Sequence, residues 1–300
     1  MSGGHDHGSL GSIKHVKPLA ISFGLVASFA FVELIAGIVS GSLALTADAG
    51  HMFTDALGLG MALAAALLAG RVQPNAKRTF GLFRLEIMAA LANAVILLGV
   101  ATYVIVEAIG RFRSPVDVEP GLMTAVAIGG LIINVIAFRL LQKAAGESLN
   151  IEGAFLEVIG DMLASVGVVI AGVVIIVTGW SGIDAVVGIA IGLFIIPRAL
   201  NLARKAIRIL IESAPDGVDV DEVRTLLLDL PEVLEVHDLH VWTLTSEMNT
   251  ATAHIVIDDG IDPHPTLDSA RDVLANRFGI DHATFQIEPV SHSGCDELAW

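Results

Sequence analysis

Six long apolar runs constrain this chain more than any other feature of it. They fall at about residues 17–40, 43–70, 84–109, 119–142, 153–178 and 182–206. A helix needs roughly 20 mostly apolar residues to span a bilayer, and each run supplies them. Strands do not account for these runs, which are too long, lack alternation, and are rich in the Ala and Gly that let membrane helices pack closely. Only 16% of the 300 residues are charged, against about 25% in a soluble globular chain. The N-terminal stretch 1–16 is polar and the first run ends without a small-residue cleavage site, which reads against a signal peptide. The expectation is a His-bearing tail over 1–16 and an all-α six-helix membrane bundle over 17–212.

Charge separates that bundle from the rest of the chain. Up to residue 212 the chain carries fourteen basic and fourteen acidic residues; from 213 onward it carries three basic and eighteen acidic, so the net charge of −15 belongs to the last 88 residues. So acidic a surface excludes nucleic acid, whose phosphates need a basic one. The single cysteine, Cys295, excludes an intramolecular disulfide framework. Within 213–300, Val218–Leu230 and His264–Phe278 have helical patterns, and Val233–Leu244, Thr250–Ile257 and Ala283–Ile287 read as strands. The order αββαβ predicts a small open sheet covered by helices on one face.

Basic residues set the orientation. If both termini share one side, that side's segments hold twelve Lys and Arg residues, among them Lys14, Arg78, Arg84, Arg139, Arg198 and Arg208, while the opposite loops hold only Arg111 and Arg113. The positive-inside rule then places both termini and the acidic domain in the cytoplasm of a plasma membrane, the bacterial inner membrane by expectation.

Ionisable residues inside membrane helices are costly and mark function by default. In the second run, Asp48, His51 and Asp55 stand at i, i+3 and i+7, on one helical face. In the fifth, Glu157 and Asp161 repeat the i, i+4 spacing. Facing each other, His51, Asp55, Glu157 and Asp161 would offer one imidazole and three carboxylates, a four-ligand set suited to a divalent cation. The rival reading is helix glue or salt-bridge partners, and it suffers because no Lys or Arg is expected at matching depth. Asp48 stands outside the core set, as an entry-side or structural carboxylate. Glu33, Asn93, Asn134 and Asp184 could line a pathway or make buried structural hydrogen bonds. His5, His7 and His15 beside Asp6 read as a polar tail that could hold metal transiently.

The acidic domain has its own candidate ligands: His237, His240, His254, His264, His282, Glu288, His292 and Cys295. His237, His254, Glu288 and Cys295 are the preferred set, with His240 and His292 in reserve. Three apart on one strand, His237 and His240 should point to opposite faces unless a bulge intervenes. Two such domains brought together would carry about 30 negative charges, a repulsion that a bound divalent cation would relieve.

These motifs resemble the cation diffusion facilitator family over nearly the whole chain, in the manner of its zinc exporters. The stretch Ser42 to Asp55, SLALTADAGHMFTD, is similar to that family's second-helix signature. Thr79 to Glu86, TFGLFRLE, resembles its loop before the third helix, Ser148 through Asp161 its approach to the fifth, and His237 to Trp242, HDLHVW, the start of its cytoplasmic sheet. The resemblance implies a homodimer, a cytoplasmic domain like a ferredoxin or copper chaperone, and proton-coupled antiport that exports divalent cations, usually Zn²⁺. His51, Asp55 and Asp161 carry over directly. Glu157 stands where zinc-exporting relatives usually have a second His, and an oxygen there shifts the site towards Mn²⁺ or Fe²⁺. The retained His51 keeps zinc first, with manganese, iron, cobalt or cadmium as alternatives.

Other classes fare worse. Neither His-Glu-x-x-His nor Gly-x-Ser-x-Gly occurs, so an enzyme is not expected. A non-transporting membrane metal sensor would not need six spans.

Overall fold

The computed structural model describes the backbone of residues 9–68, 79–142, 149–245 and 248–292, and their side chains apart from 9–19, 22, 59, 62–68, 137, 140–142 and 149–158. The chain parts into two compact units, residues 1–74 with 89–203 and residues 75–88 with 204–300.

Six helices lie where the six apolar runs predict them: α1 (Ser9–Ser40), α2 (Leu43–Leu68), α3 (Phe83–Arg113), α4 (Pro120–Gln142), α5 (Leu149–Thr178) and α6 (Gly182–Leu210). Among the described residues, four contain a stretch long and apolar enough to cross a membrane: α1 over Phe23–Ser40, α3, α5 over Ile159–Thr178, and α6. In α2 the run is interrupted by Asp48, His51 and Asp55, and in α4 the described apolar stretch is Pro120–Ile136. The chain turns from α1 to α2 at Gly41, whose φ of 70° a side chain would resist. Packing pairs α1 with α2, α4 with α5, α1 with α4, and α2 with α5.

Small residues set how closely these helices approach. A Cβ added to Gly172 of α5 would lie 1.9 Å from the Thr124 hydroxyl of α4, and one on Gly37 of α1 would lie 2.7 Å from that of Thr46 in α2. Buried Ala44, Ala47, Ala101, Ala108, Ala127, Ala171 and Ala199 continue the same pattern through the bundle core. Lipid tails are as apolar as leucine, so such close packing, not apolar burial, holds membrane helices together. The large apolar side chains accordingly point outward, among them Ile35, Ile38, Tyr103, Val106, Ile176 and Val177.

The second unit carries α7 (Val220–Leu228), β1 (Val233–Thr245), β2 (Met248–Ile257), α8 (Pro263–Phe278) and β3 (His282–Pro289), the expected αββαβ order. Helix α7 starts later than its apolar pattern because the Asp219 side chain accepts from the Asp221 amide and caps it. Helix α8 is capped by Asp262 and stops at Gly279, in the left-handed region at φ 64°. The sheet order is β1-β2-β3, with β1 and β2 antiparallel and β2 and β3 parallel. Odd-numbered residues of β2 (Ala251, Ala253, Ile255, Ile257) face the core with Val223 and Leu227 of α7 and Leu274 of α8. Even-numbered ones, including His254, therefore point away from the helices.

Candidate metal centres

Helical spacing brings the membrane cluster together. His51 and Asp55, one turn apart on α2, meet Asp161 of α5, and all three can offer one atom within 4.8 Å of the others. His51 Nε2 lies 2.8 Å from Asp161 Oδ1 and 4.0 Å from Asp55 Oδ2. His51 and Asp161 are buried, while the Asp55 side chain is 27% exposed and leaves the cluster one open edge. A nitrogen and two carboxylates converging in a low-dielectric setting have the chemistry to hold a cation. Glu157, expected as the fourth ligand, lies on α5 one turn before Asp161, but its side chain lies outside those described.

One expectation is overturned. The positive-inside count puts Arg198 among the charged segments flanking the membrane and leaves no cation at the site. Instead Arg198 sits within α6 with Nη1 2.7 Å from His51 Nε2 and 3.7 Å from Asp161 Oδ1. Helix α6 continues to Leu210, so Arg198 falls about three turns from its end and its long side chain reaches across to α2 and α5. The signal is present in the sequence, as an arginine flanked by apolar residues sixteen positions after the start of the run.

The remaining intramembrane polar groups divide by their partners. Asp184 is a structural anchor: its carboxylate accepts from the Ser42 hydroxyl (2.6 Å) and the Leu43 and Ala44 amides (2.7 and 3.2 Å), and Arg111 Nη1 lies 3.4 Å away. It thereby satisfies the orphan amides at the start of α2. Asn93 donates to the Thr54 carbonyl and Asn134 to the Ser165 hydroxyl, each joining two helices. Asp48 accepts from Ser165 at 3.2 Å, and fully buried Glu33 packs against Gly130.

In the second unit, His237, His254 and Glu288 form a further cluster within 4.8 Å. His237 and His254 are cross-strand partners in β1 and β2, their rings 5.0 Å apart and edge to face. Glu288 on β3 pairs with Val256, two residues past His254 and so on the same face. Its carboxylate lies 2.8 Å from His254 Nδ1 and 3.4 Å from His237 Nε2, and Gln286 donates to it at 2.7 Å.

A bulge does intervene between His237 and His240. Pairing passes from His237↔His254 to His240↔Thr252, three residues against two, with Asp238 at a φ of 50°. It turns His237 and His240 to one face of the sheet, not to opposite faces. His240 nevertheless stays outside the cluster: it is exposed, with Nε2 3.0 Å from Asp238 Oδ1. His264, His282 and His292 are exposed as well, and the His282 ring meets that of Phe80. Cys295 lies outside the described residues, as do His5 and His7; His15 belongs to α1, but its side chain is not among those described.

Comparisons with known proteins show the family. Residues 19–211 match the cation efflux transmembrane domain and residues 215–290 the cytoplasmic domain of cation efflux proteins. The metal cation efflux system protein CzcD of Cupriavidus metallidurans is 42% identical over 96% of this chain and 90% of its own length. The zinc transporter ZitB of Escherichia coli is 39% identical over 96% of this chain and 93% of its own. A cadmium, cobalt and zinc/H⁺-K⁺ antiporter of Bacillus subtilis is 35% identical over 97% and 93%. Two matched domains, covering most of the chain and enclosing both ligand clusters, place it in one family: it belongs to the cation efflux (cation diffusion facilitator) family of membrane transporters.

Proposed function

We propose that this chain exports divalent metal cations, Zn²⁺ first among them, from the cytoplasm in exchange for protons. The convergence of His51, Asp55 and Asp161 inside the bundle carries this reading. Zinc accepts both imidazole and carboxylate ligands, and the helical spacing of Glu157 makes it the proposed fourth. The names of the Escherichia coli and Bacillus subtilis relatives, a zinc transporter and an H⁺-K⁺ antiporter of cadmium, cobalt and zinc, support the metal class and the counter-ion.

In the proposed cycle both termini are cytoplasmic and the acidic domain raises the local metal concentration. Metal binds in place of protons on His51 and Glu157, the bundle rocks to face outward, and external protons compete the metal off. Imidazole suits this exchange because its ordinary pKa lies near physiological pH. Residues 213–300 are proposed as a regulatory dimer in which His237, His254 and Glu288, with Cys295, hold a second ion between acidic subunits. A harder metal such as Mn²⁺ is the second reading, resting on the carboxylate at position 157.

Zinc flux into proteoliposomes tests the proposal. Flux should require Asp161 and follow an imposed proton gradient. Unaltered flux through Asp161→Asn would move the site elsewhere, and flux indifferent to the gradient would remove the proton from the cycle.

A further inference from the structure

We infer that Arg198 is the resident cation of the empty transport site, and that loading is an exchange in which the metal displaces its guanidinium. The inference rests on the reading of His51, Asp55 and Asp161 as the transport site.

Two groups crowd around one atom. His51 Nε2 has Asp161 Oδ1 at 2.8 Å and Arg198 Nη1 at 2.7 Å, and the guanidinium lies 3.7 Å from that same carboxylate oxygen. A metal bound by Nε2 would sit about 2.0–2.1 Å from it. With Arg198 Nη1 2.7 Å from the same nitrogen, the two cations compete for one position. Like charges this close in a membrane interior also repel strongly.

Charge leads to the same exchange. Empty, the described site sets two carboxylates against one guanidinium. Loaded, a divalent ion supplies beside Asp161 the positive charge that Arg198 gives the empty site. Arg198 therefore stabilises the empty carrier.

The surroundings leave the side chain room to withdraw. Arg198 is 26% exposed, and its guanidinium carbon stands 5.7 Å from the ring centre of Phe194, one turn back on α6. An aromatic face can hold an arginine once its carboxylate is taken. Beside it is Gly160, where a Cβ would come within 3.3 Å of Nη1 and 3.2 Å of the Phe194 ring. The absence of a side chain next to Asp161 thus opens the space that Arg198 occupies.

Zinc binding to the purified full-length protein tests this, in a background carrying His237→Ala and His254→Ala so that the cytoplasmic cluster does not contribute. Arg198→Gln should bind zinc about tenfold or more tightly, with a larger zinc-induced rise in Tm, because the metal-free state loses its counter-charge and the loaded state loses a repulsion. Arg198→Lys should restore the parent's weaker affinity. A merely structural arginine would lower Tm alike with and without zinc, and would not raise affinity. In parallel, zinc should speed phenylglyoxal labelling of Arg198 in the parent, read by peptide mass spectrometry. Unchanged or weaker zinc binding by Arg198→Gln, or labelling that zinc leaves unchanged or slows, overturns the exchange. If Asp161→Asn binds no zinc in the same assay, the transport site survives that result; if Asp161→Asn binds zinc like its parent, the site reading falls and the exchange with it.

Discussion

At the scale of single residues, buried carboxylates in this bundle do two different jobs, and their partners tell them apart. Asp184 accepts two backbone amides and a hydroxyl beside Arg111, whereas Asp161 faces an imidazole and an arginine with Asp55 nearby. Their substitutions should differ in kind. Asp184→Ala leaves buried donors and Arg111 without their acceptor, and should cost about 3 kcal/mol of stability. It should leave zinc affinity of the folded protein within about twofold, by calorimetry in detergent. Asp55→Asn and Asp161→Asn should reduce zinc flux by at least about a hundredfold, and Asp161→Asn, which takes away the carboxylate that Arg198 faces, should also lower the melting temperature. The sequence shows all three aspartates but does not rank them, because a carboxylate's role depends on which donors the tertiary fold brings to it. Arg198 escapes a sequence reading for a related reason. A charge near the end of an apolar run reads as flanking, and only the helix's true length and the reach of its side chain return it to the interior.

At the scale of elements, period and composition make almost every helix and strand legible. The six apolar runs, the αββαβ order and the facing positions of His51, Asp55 and Asp161 on α2 and α5 all follow from local pattern. Register does not: the bulge at Asp238 is one extra residue in β1 with no unambiguous mark in HDLHVW, yet it turns His237 and His240 to one face. Helix contacts yield a paired test. Gly172→Ala drives a methyl group to within 1.9 Å of the Thr124 hydroxyl and should destabilise by about 1–3 kcal/mol. Gly99→Ala, with nothing within 4 Å, should be neutral or stabilise by up to about 1 kcal/mol through helix propensity. Thermal unfolding of both variants checks the contrast. For the second unit, residues 213–300 expressed alone should melt higher with added zinc, since a ligand that prefers the native state stabilises it. Glu288→Gln, which takes a carboxylate from the cluster, should abolish most of that shift.

For the whole molecule, the proposed metal ligands sit on α2 and α5, while the start of α2 is fastened by Asp184 to the start of α6 and, through Arg111, to the end of α3. A family of transporters must open this site to one side at a time, and where helices are fastened decides where they can part. Asp161→Asn proteoliposomes, loaded with a proton gradient in either direction, should therefore stay silent, whereas the parent should reverse its zinc flux when the gradient is reversed. The fastening also acts as a fulcrum. His51 stands eight residues from Leu43, about 12 Å along the helix at 1.5 Å per residue. A tilt of about 10° at the pinned end would swing the imidazole by about 2 Å, roughly the length of a zinc–nitrogen bond. Geometry alone thus converts a slight pivot at one end of α2 into the making or breaking of coordination at its middle.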